Sequence, residues 1–175
     1  MVSRPARGLV IVHTGDGKGK TTAALGMALR AVGHGMRVAF VQFVKAAAVG
    51  EHRAAERLAP DLEIFRMGRG CVSGEPGAED LQAAREALDM ARACLRGGRY
   101  AMVVADEAIT AVGLQLLARD EVESLLSDRP AEVHLVLTGR GAWQGLTERA
   151  DLVTEMHSVK HPHDRGGGAR EGVEF

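Results

Sequence analysis

The sequence predicts an α/β fold in three layers, a mostly parallel sheet of about six strands with helices on both faces. Short, almost wholly apolar runs recur along the chain, among them Leu9–His13, Arg37–Val44, Ala101–Ala105 and Val133–Leu137. Stretches with helical spacing lie between them, and the polar, glycine-rich segments fall just after the apolar runs. Strands buried on both faces read as continuous apolar runs, and parallel strands need crossovers, so this alternation selects a covered parallel sheet.

Each element has its own signal. Leu9–His13 is β-branched and soon followed by glycine, the mark of a buried strand. A helix is expected from about Gly19 to Val32, with Leu25, Ala28, Leu29 and Val32 on one face and Gly33-His34-Gly35 as its stop. Arg37–Val44 is a second strand, Glu51–Leu58 a helix broken before Pro60, and Leu62–Arg66 a short third strand. Four glycines and a proline make Gly68–Gly77 a loop. Leu81, Ala84, Leu88, Ala91 and Leu95 recur at alternating spacings of three and four, an amphipathic helix whose stripe serves core packing. Gly97-Gly98 ends it. Ala101–Ala105 is the next strand and runs directly into Asp106-Glu107. Asp120, three residues before Glu123, resembles a capping box ahead of Val122, Leu125 and Leu126. Val133–Leu137 is a further strand, followed by Thr138-Gly139-Arg140-Gly141, a helical piece and a last strand at Asp151–Met156. The tail from His157 carries three histidines and four glycines and reads as irregular. Residues 1–7 are expected to be a flexible tail, and 8–175 a single domain.

Composition narrows the function. A net charge of -1 offers no global attraction to nucleic acid or to an acidic membrane surface. Aromatic residues make up 3%, so few rings are available to stack on unpaired bases. No apolar run approaches the roughly 20 residues that span a bilayer. Met1–Arg7 lacks the apolar stretch of a secretory signal, so the expected location is the cytoplasm, where Cys71 and Cys94 would be free thiols.

The sharpest motif is Thr14-Gly-Asp-Gly-Lys-Gly-Lys-Thr-Thr22. Gly19-Lys20-Thr21, after a buried strand and opening a helix, is the second half of a Walker A signature. Glycines at 15, 17 and 19 let backbone amides turn inward, and those amides with the helix amino terminus suit phosphate oxygens. The candidate ATP-binding set is Thr14, Gly15, Asp16, Gly17, Lys18, Gly19, Lys20, Thr21 and Thr22, with Lys20 as principal cation and the Thr21 hydroxyl as a Mg2+ ligand. The fold class is therefore P-loop NTPase-like (RecA-like). Thr14 departs from the usual pattern, which has glycine there. Asp106-Glu107 at the end of a strand is a Walker-B-like placement for holding Mg2+, and spacing does not say which of the two touches the metal.

Other residues carry less. Arg140, also at a strand end, reads equally as a ligand for phosphate or carboxylate and as a solvent-facing side chain. His157, His161 and His163 have spacings of four and two that suit a solvated tail better than a metal site. His34 reads as a turn residue and Trp143 as a packing anchor.

Several segments together resemble the P-loop ATP:corrinoid adenosyltransferases. They are His13–Ala24, Arg30-Ala-Val-Gly-His-Gly35, Val41-Gln-Phe-Val-Lys45, Val103-Val-Ala-Asp-Glu107, Leu137-Thr-Gly-Arg-Gly141, Ala150–Met156, Val159-Lys-His161 and Gly172-Val-Glu-Phe175. Thr14 is itself typical of that family. The resemblance implies transfer of the 5′-deoxyadenosyl group of ATP to the Co(I) of a reduced corrinoid, with release of triphosphate, in adenosylcobalamin synthesis or salvage. It implies ATP lying reversed relative to ordinary P-loop enzymes, Lys20 stabilising the triphosphate, and Thr21 and Glu107 holding Mg2+ with Asp106 in support. A reductant supplying Co(I) and a homodimer are also implied. Two segments depart from the family pattern: Lys45-Ala-Ala-Ala48 stands where Lys-Gly-x-Trp is usual, and Cys71-Val-Ser73 lacks the aromatics that press on the corrinoid. The alternatives are another P-loop kinase or NTPase, or an ATP-binding member of the family with weak or lost corrinoid activity.

Overall fold

The computed structural model describes residues 7–45, 47–70, 72, 74–162 and 166–173. The elements run β1 (Val10–Thr14), α1 (Lys20–Gly33), β2 (Val38–Gln42), α2 (Gly50–Glu56), β3 (Leu62–Arg66) and α3 (Ala78–Arg96). They continue with β4 (Met102–Asp106), α4 (Ala108–Gly113), α5 (Arg119–Asp128), β5 (His134–Thr138), α6 (Gln144–Arg149) and β6 (Leu152–Glu155). The six strands form one sheet in the order β3-β2-β4-β5-β1-β6, and every pairing is parallel.

Side-chain alternation divides the core in two. Val10 and Val12 of β1, Ala39 and Val41 of β2, Val103 and Ala105 of β4, and Leu135 and Leu137 of β5 face α3, α4, α5 and α6. Ile11, Val38, Phe40, Met102, Val104 and Val136 face Ala24, Ala28 and Ala31 of α1 and Ala55 of α2. The result is the three-layer α/β arrangement the sequence predicts. The alanines on α1 bring that helix close to the sheet, and this sets the height of the α1 amino terminus above the strand ends.

The structure differs from expectation in places. Helix α4 was not expected, because its six residues are too few to show a period, yet Ile109 and Ala111 are fully buried. Helix α5 begins at Arg119, with Ala118 rather than Asp120 as its cap. The Ala118 N–H donates to Glu121 Oε2 at 2.7 Å. Glu123 is taken instead by tertiary partners, accepting from Trp143 Nε1 at 2.6 Å and Arg149 at 3.0 Å. Strand β6 is exposed along its whole length, unlike the interior strands, because no described helix covers its faces. The expected tail at 1–7 lies, apart from Arg7, outside the described residues, as do Ala46, Cys71, Ser73 and His163.

Candidate functional site

The carboxyl ends of three neighbouring strands, β4, β5 and β1, converge under the amino terminus of α1. Ligands of open parallel sheets sit beyond such ends. Helices α2, α3 and α5 each satisfy an N-terminal amide with the side chain three positions on: His52, Asp80 and Glu121 accept from Val49, Gly77 and Ala118. Helix α1 has no side-chain cap and no acidic residue in its first turn. Its first-turn amides and positive dipole end therefore face the loop before it, a setting that attracts anions.

That loop is held from behind by the segment after β6. The Met156 N–H donates to the Thr14 carbonyl at 2.8 Å, and the Gly17 N–H donates to the Met156 carbonyl at 2.7 Å. A Cβ at Gly15 would lie 2.4 Å from the Met156 oxygen, and one at Gly17 would lie 2.7 Å from the His157 carbonyl carbon. At Gly17 this corrects the sequence reading, which gave all three glycines the work of turning amides inward. The Gly17 amide is committed to the protein, and Gly15 and Gly17 are needed for close approach to 156–157. Gly19, with φ of 116°, is the residue that turns the chain into α1.

Lys20 is 7% exposed and folds back on its own loop, its Nζ donating to the carbonyls of Gly15 and Gly17 at 2.8 Å each. Burial, and then the Arg140 guanidinium, pull its ammonium below the usual lysine range, while Glu107, Asp16 and Asp106 act in the opposite sense. A lysine so placed brings one desolvated positive charge to the centre of the loop.

Asp106 is 1% exposed and sits at the end of β4. Its Oδ1 accepts from the Thr21 hydroxyl at 2.9 Å and from the Thr138 hydroxyl at 2.7 Å. Burial pushes its carboxyl up to about 6 against the pull of those hydrogen bonds. Thr138 in turn accepts the Glu107 N–H at 2.9 Å. Glu107 holds a left-handed backbone with φ of 63°, uncommon for a residue with a side chain and frequent at functional sites. Thr138 thus ties the Asp106 carboxylate to the Glu107 backbone, and Asp106 carries the link on to Thr21 of α1; Thr138 is a residue the sequence reading left aside. Its signal was a hydroxyl closing an apolar strand.

These groups belong to a wider pattern. Arg66, Gln42, Asp106, Thr138, His13 and Thr154 occupy one rung across the six strands. The rung two residues earlier, Ile64, Phe40, Val104, Val136, Ile11 and Leu152, packs largely against α1. The sheet surface below the loop therefore changes from apolar to polar in one step. His52 Nδ1 accepts from Val49, so its Nε2 carries the proton and donates to Gln42 Oε1 at 2.7 Å. Among the described residues, Gln42 Nε2 and both ring nitrogens of His13 have no partner. Burial holds the His13 imidazole below its ordinary pKa.

A cavity of about 830 Å³ opens beside the loop. Asp16 through Thr22 form one wall, and Lys45, Glu51, Glu107, Arg140, Ser158, His161 and Val173 contribute the others. Of the sequence-predicted set, the structure brings Asp16, Gly17, Lys18, Gly19, Lys20, Thr21, Thr22 and Glu107 together on the cavity. Thr14, Gly15 and Asp106 stand behind the wall as supports. Lys45 and Glu51, paired at 2.5 Å, were not singled out from spacing, since nothing in sequence shows that α2 turns its start toward the loop. Trp143 is a packing residue of the α3–α6 face, as expected. Hydroxyl and carboxylate oxygens at Thr21, Asp106 and Glu107 are the donor type that a hard cation such as Mg2+ takes.

Comparison with known proteins extends beyond the loop. The family model described as "ATP:corrinoid adenosyltransferase BtuR/CobO/CobP" matches residues 6–175. The chain is 41% identical over 175 residues to the corrinoid adenosyltransferase of Pseudomonas aeruginosa, covering 99% of this chain and 86% of that one. It is 42% identical over 173 residues to that of Sinorhizobium sp, covering 97% and 81%. It is 39% identical over 171 residues to that of Escherichia coli K12, covering 97% and 86%. Because the likeness takes in every strand, the uncapped α1 terminus and the stretch after β6 from which Ser158, His161 and Val173 line the cavity, the chain belongs to the ATP:corrinoid adenosyltransferase family.

Proposed function

We propose that this chain transfers the 5′-deoxyadenosyl group of ATP to the Co(I) of a reduced corrinoid and releases triphosphate, in adenosylcobalamin synthesis or salvage. One observation carries the reading: in a member of this family, a single cavity joins the buried ammonium of Lys20, the uncapped start of α1 and the oxygens of Thr21 and Glu107. In the reaction, Co(I) attacks C5′, the Co–C bond forms, and the C5′–O bond breaks with its electron pair moving to the triphosphate. The nucleophile comes with the substrate, so the chain needs no base for this step. Its task is to position ATP and stabilise the leaving anion.

The residues divide that task. Lys20, the Asp16 amide and the amides from Lys18 to Thr22 face the triphosphate. Thr21 and Glu107 would hold Mg2+, with Asp106 steadying the Thr21 hydroxyl from behind. When bound, Mg2+ would neutralise part of the negative charge on the triphosphate. One carboxylate and one hydroxyl would leave coordination positions for phosphate and water, the usual mode for this ion. The proposal extends to residues 8–175 acting as one nucleotide-binding domain, to a cytoplasmic homodimer, and to a separate reductant that supplies Co(I). No described helix is long and apolar enough to cross a membrane.

The test is direct. MgATP and chemically reduced cobalamin are incubated with the protein, the alkylcobalamin product is followed by absorbance, and the phosphate products are separated. Alkylcobalamin and triphosphate in equal amounts are the expected products. ADP with no alkylcobalamin would identify a kinase or NTPase instead, and binding of both substrates without turnover would mark lapsed chemistry. Lys20→Ala is expected to weaken MgATP binding at least a hundredfold, roughly the 3 kcal/mol of a buried charge-assisted contact. Unchanged binding would remove Lys20 from the site.

A further inference from the structure

We propose that Met156, the residue leaving β6, is the positioning residue of the nucleotide loop, its thioether supporting the turn at Gly19 and its backbone setting the place of the Lys20 ammonium. The inference rests on the reading of residues 14–22 as the triphosphate loop and adds what holds that loop in shape.

Met156 bears on all three glycines of the loop. Its backbone takes the first two. The Met156 N–H donates to the Thr14 carbonyl at 2.8 Å, and its own carbonyl accepts the Gly17 N–H at 2.7 Å. A Cβ at Gly15 would lie 2.4 Å from the Met156 oxygen, so the two chains touch there with no side chain between them. The Met156 side chain reaches the third. Among the described residues, the one atom beyond its chain neighbours that a Cβ at Gly19 would meet within 4 Å is Met156 Sδ, at 3.5 Å.

This one residue therefore stands behind both positive features of the site. The carbonyls of Gly15 and Gly17 are the acceptors of Lys20 Nζ, at 2.8 Å each. Gly19, whose φ of 116° turns the chain into α1, decides where the uncapped first-turn amides point. Met156 does not line the cavity, so it acts on a ligand only through the loop.

Backbone and side chain have separable parts in this. The β1–β6 ladder, in which Thr14 pairs with Glu155, fixes the Met156 backbone whatever side chain stands there. The support under Gly19 comes from the side chain alone. An unbranched, polarizable thioether suits the irregular space beside a left-handed turn. Strand β6 is exposed along its length, and no described helix lies over it to take the place of that side chain. Without the thioether the turn loses its neighbour on that side, and the glycine-rich loop must be ordered by the anion at the moment of binding.

Inorganic tripolyphosphate is the probe, titrated calorimetrically into the full chain without corrinoid. Met156→Ala is expected to weaken its binding roughly tenfold through that ordering cost. Met156→Leu refills the space and should stay within about twofold of the unaltered protein. Val122→Ala is the control, a truncation in the core under α5 at a residue that does not line the cavity. It should lower the melting temperature and leave binding unchanged. An equal loss of binding in Val122→Ala would reduce the effect to general destabilisation and overturn the proposal, and so would a Met156→Leu protein as weak as Met156→Ala. Unchanged binding in a folded Met156→Ala protein, with Lys20→Ala still losing affinity, would overturn the role of Met156 and leave the loop standing. No tripolyphosphate binding by the unaltered protein would sink both together.

Discussion

The Gly17 amide donates to the Met156 carbonyl at 2.7 Å, and a Cβ on Gly17 would lie 2.8 Å from that same oxygen. The nucleotide loop and the segment leaving β6 therefore share a contact with no room for a side chain. A loop held in this way keeps its shape before any ligand enters, which lowers the ordering cost of binding.

Gly17→Ala must push apart two backbones. It is expected to lower the melting temperature and to weaken MgATP binding at least tenfold, about 1.4 kcal/mol. Gly26→Ala is the contrast, since nothing lies within 4 Å of a Cβ there and the site is on α1. It should leave binding intact and raise stability by up to about 1 kcal/mol. Thermal melts and calorimetry of the two variants would decide the matter, and equal behaviour would refute the contact.

Thr138→Val keeps the shape of the side chain and removes its hydroxyl. Asp106 would lose one of its two donors, and the Glu107 N–H its acceptor. A loss of about 1–3 kcal/mol in denaturant unfolding is expected, the cost of leaving buried polar groups unpaired. A variant as stable as the parent would mean that water replaces the hydroxyl.

Asp106 has its carboxyl raised to about 6 by burial. A raised carboxyl contributes stability that is fully present below the unfolded carboxylate range and is lost as pH rises through about 6. Asp106→Asn imitates the protonated form. Its melting temperature should exceed that of the parent at pH 8 and converge on it near pH 4. A gap that does not change with pH would contradict the assignment.

His13 has the opposite sign. Burial holds its imidazole below the ordinary value, so its contribution is present above about 6.5 and is lost as pH falls through the depressed value. Neither ring nitrogen has a partner among the described residues. His13→Leu should match or exceed the parent in stability at pH 8, with the advantage growing below pH 6. A less stable variant at both pH values would point to bound water on the ring.

By itself, the sequence determined what depends on short range. The apolar runs of β1, β2, β4 and β5 and the stripe of α3 are periodic patterns, and the residues from Asp16 to Thr22 adjoin one another in the chain. Their place between a strand and a helix follows from neighbours alone. The ends of α5 and the existence of α4 were out of reach, because Glu123 is drawn away by Trp143 and Arg149 and six residues show no period. Tertiary structure alone decided which distant groups meet. It set Thr138 between Asp106 and Glu107, laid Met156 against Gly15 and Gly17, aligned six polar side chains on one rung, and brought Arg140 to Asp16. Strand order and register settle those meetings, and both arise from packing two apolar faces at once, a constraint that no single segment contains.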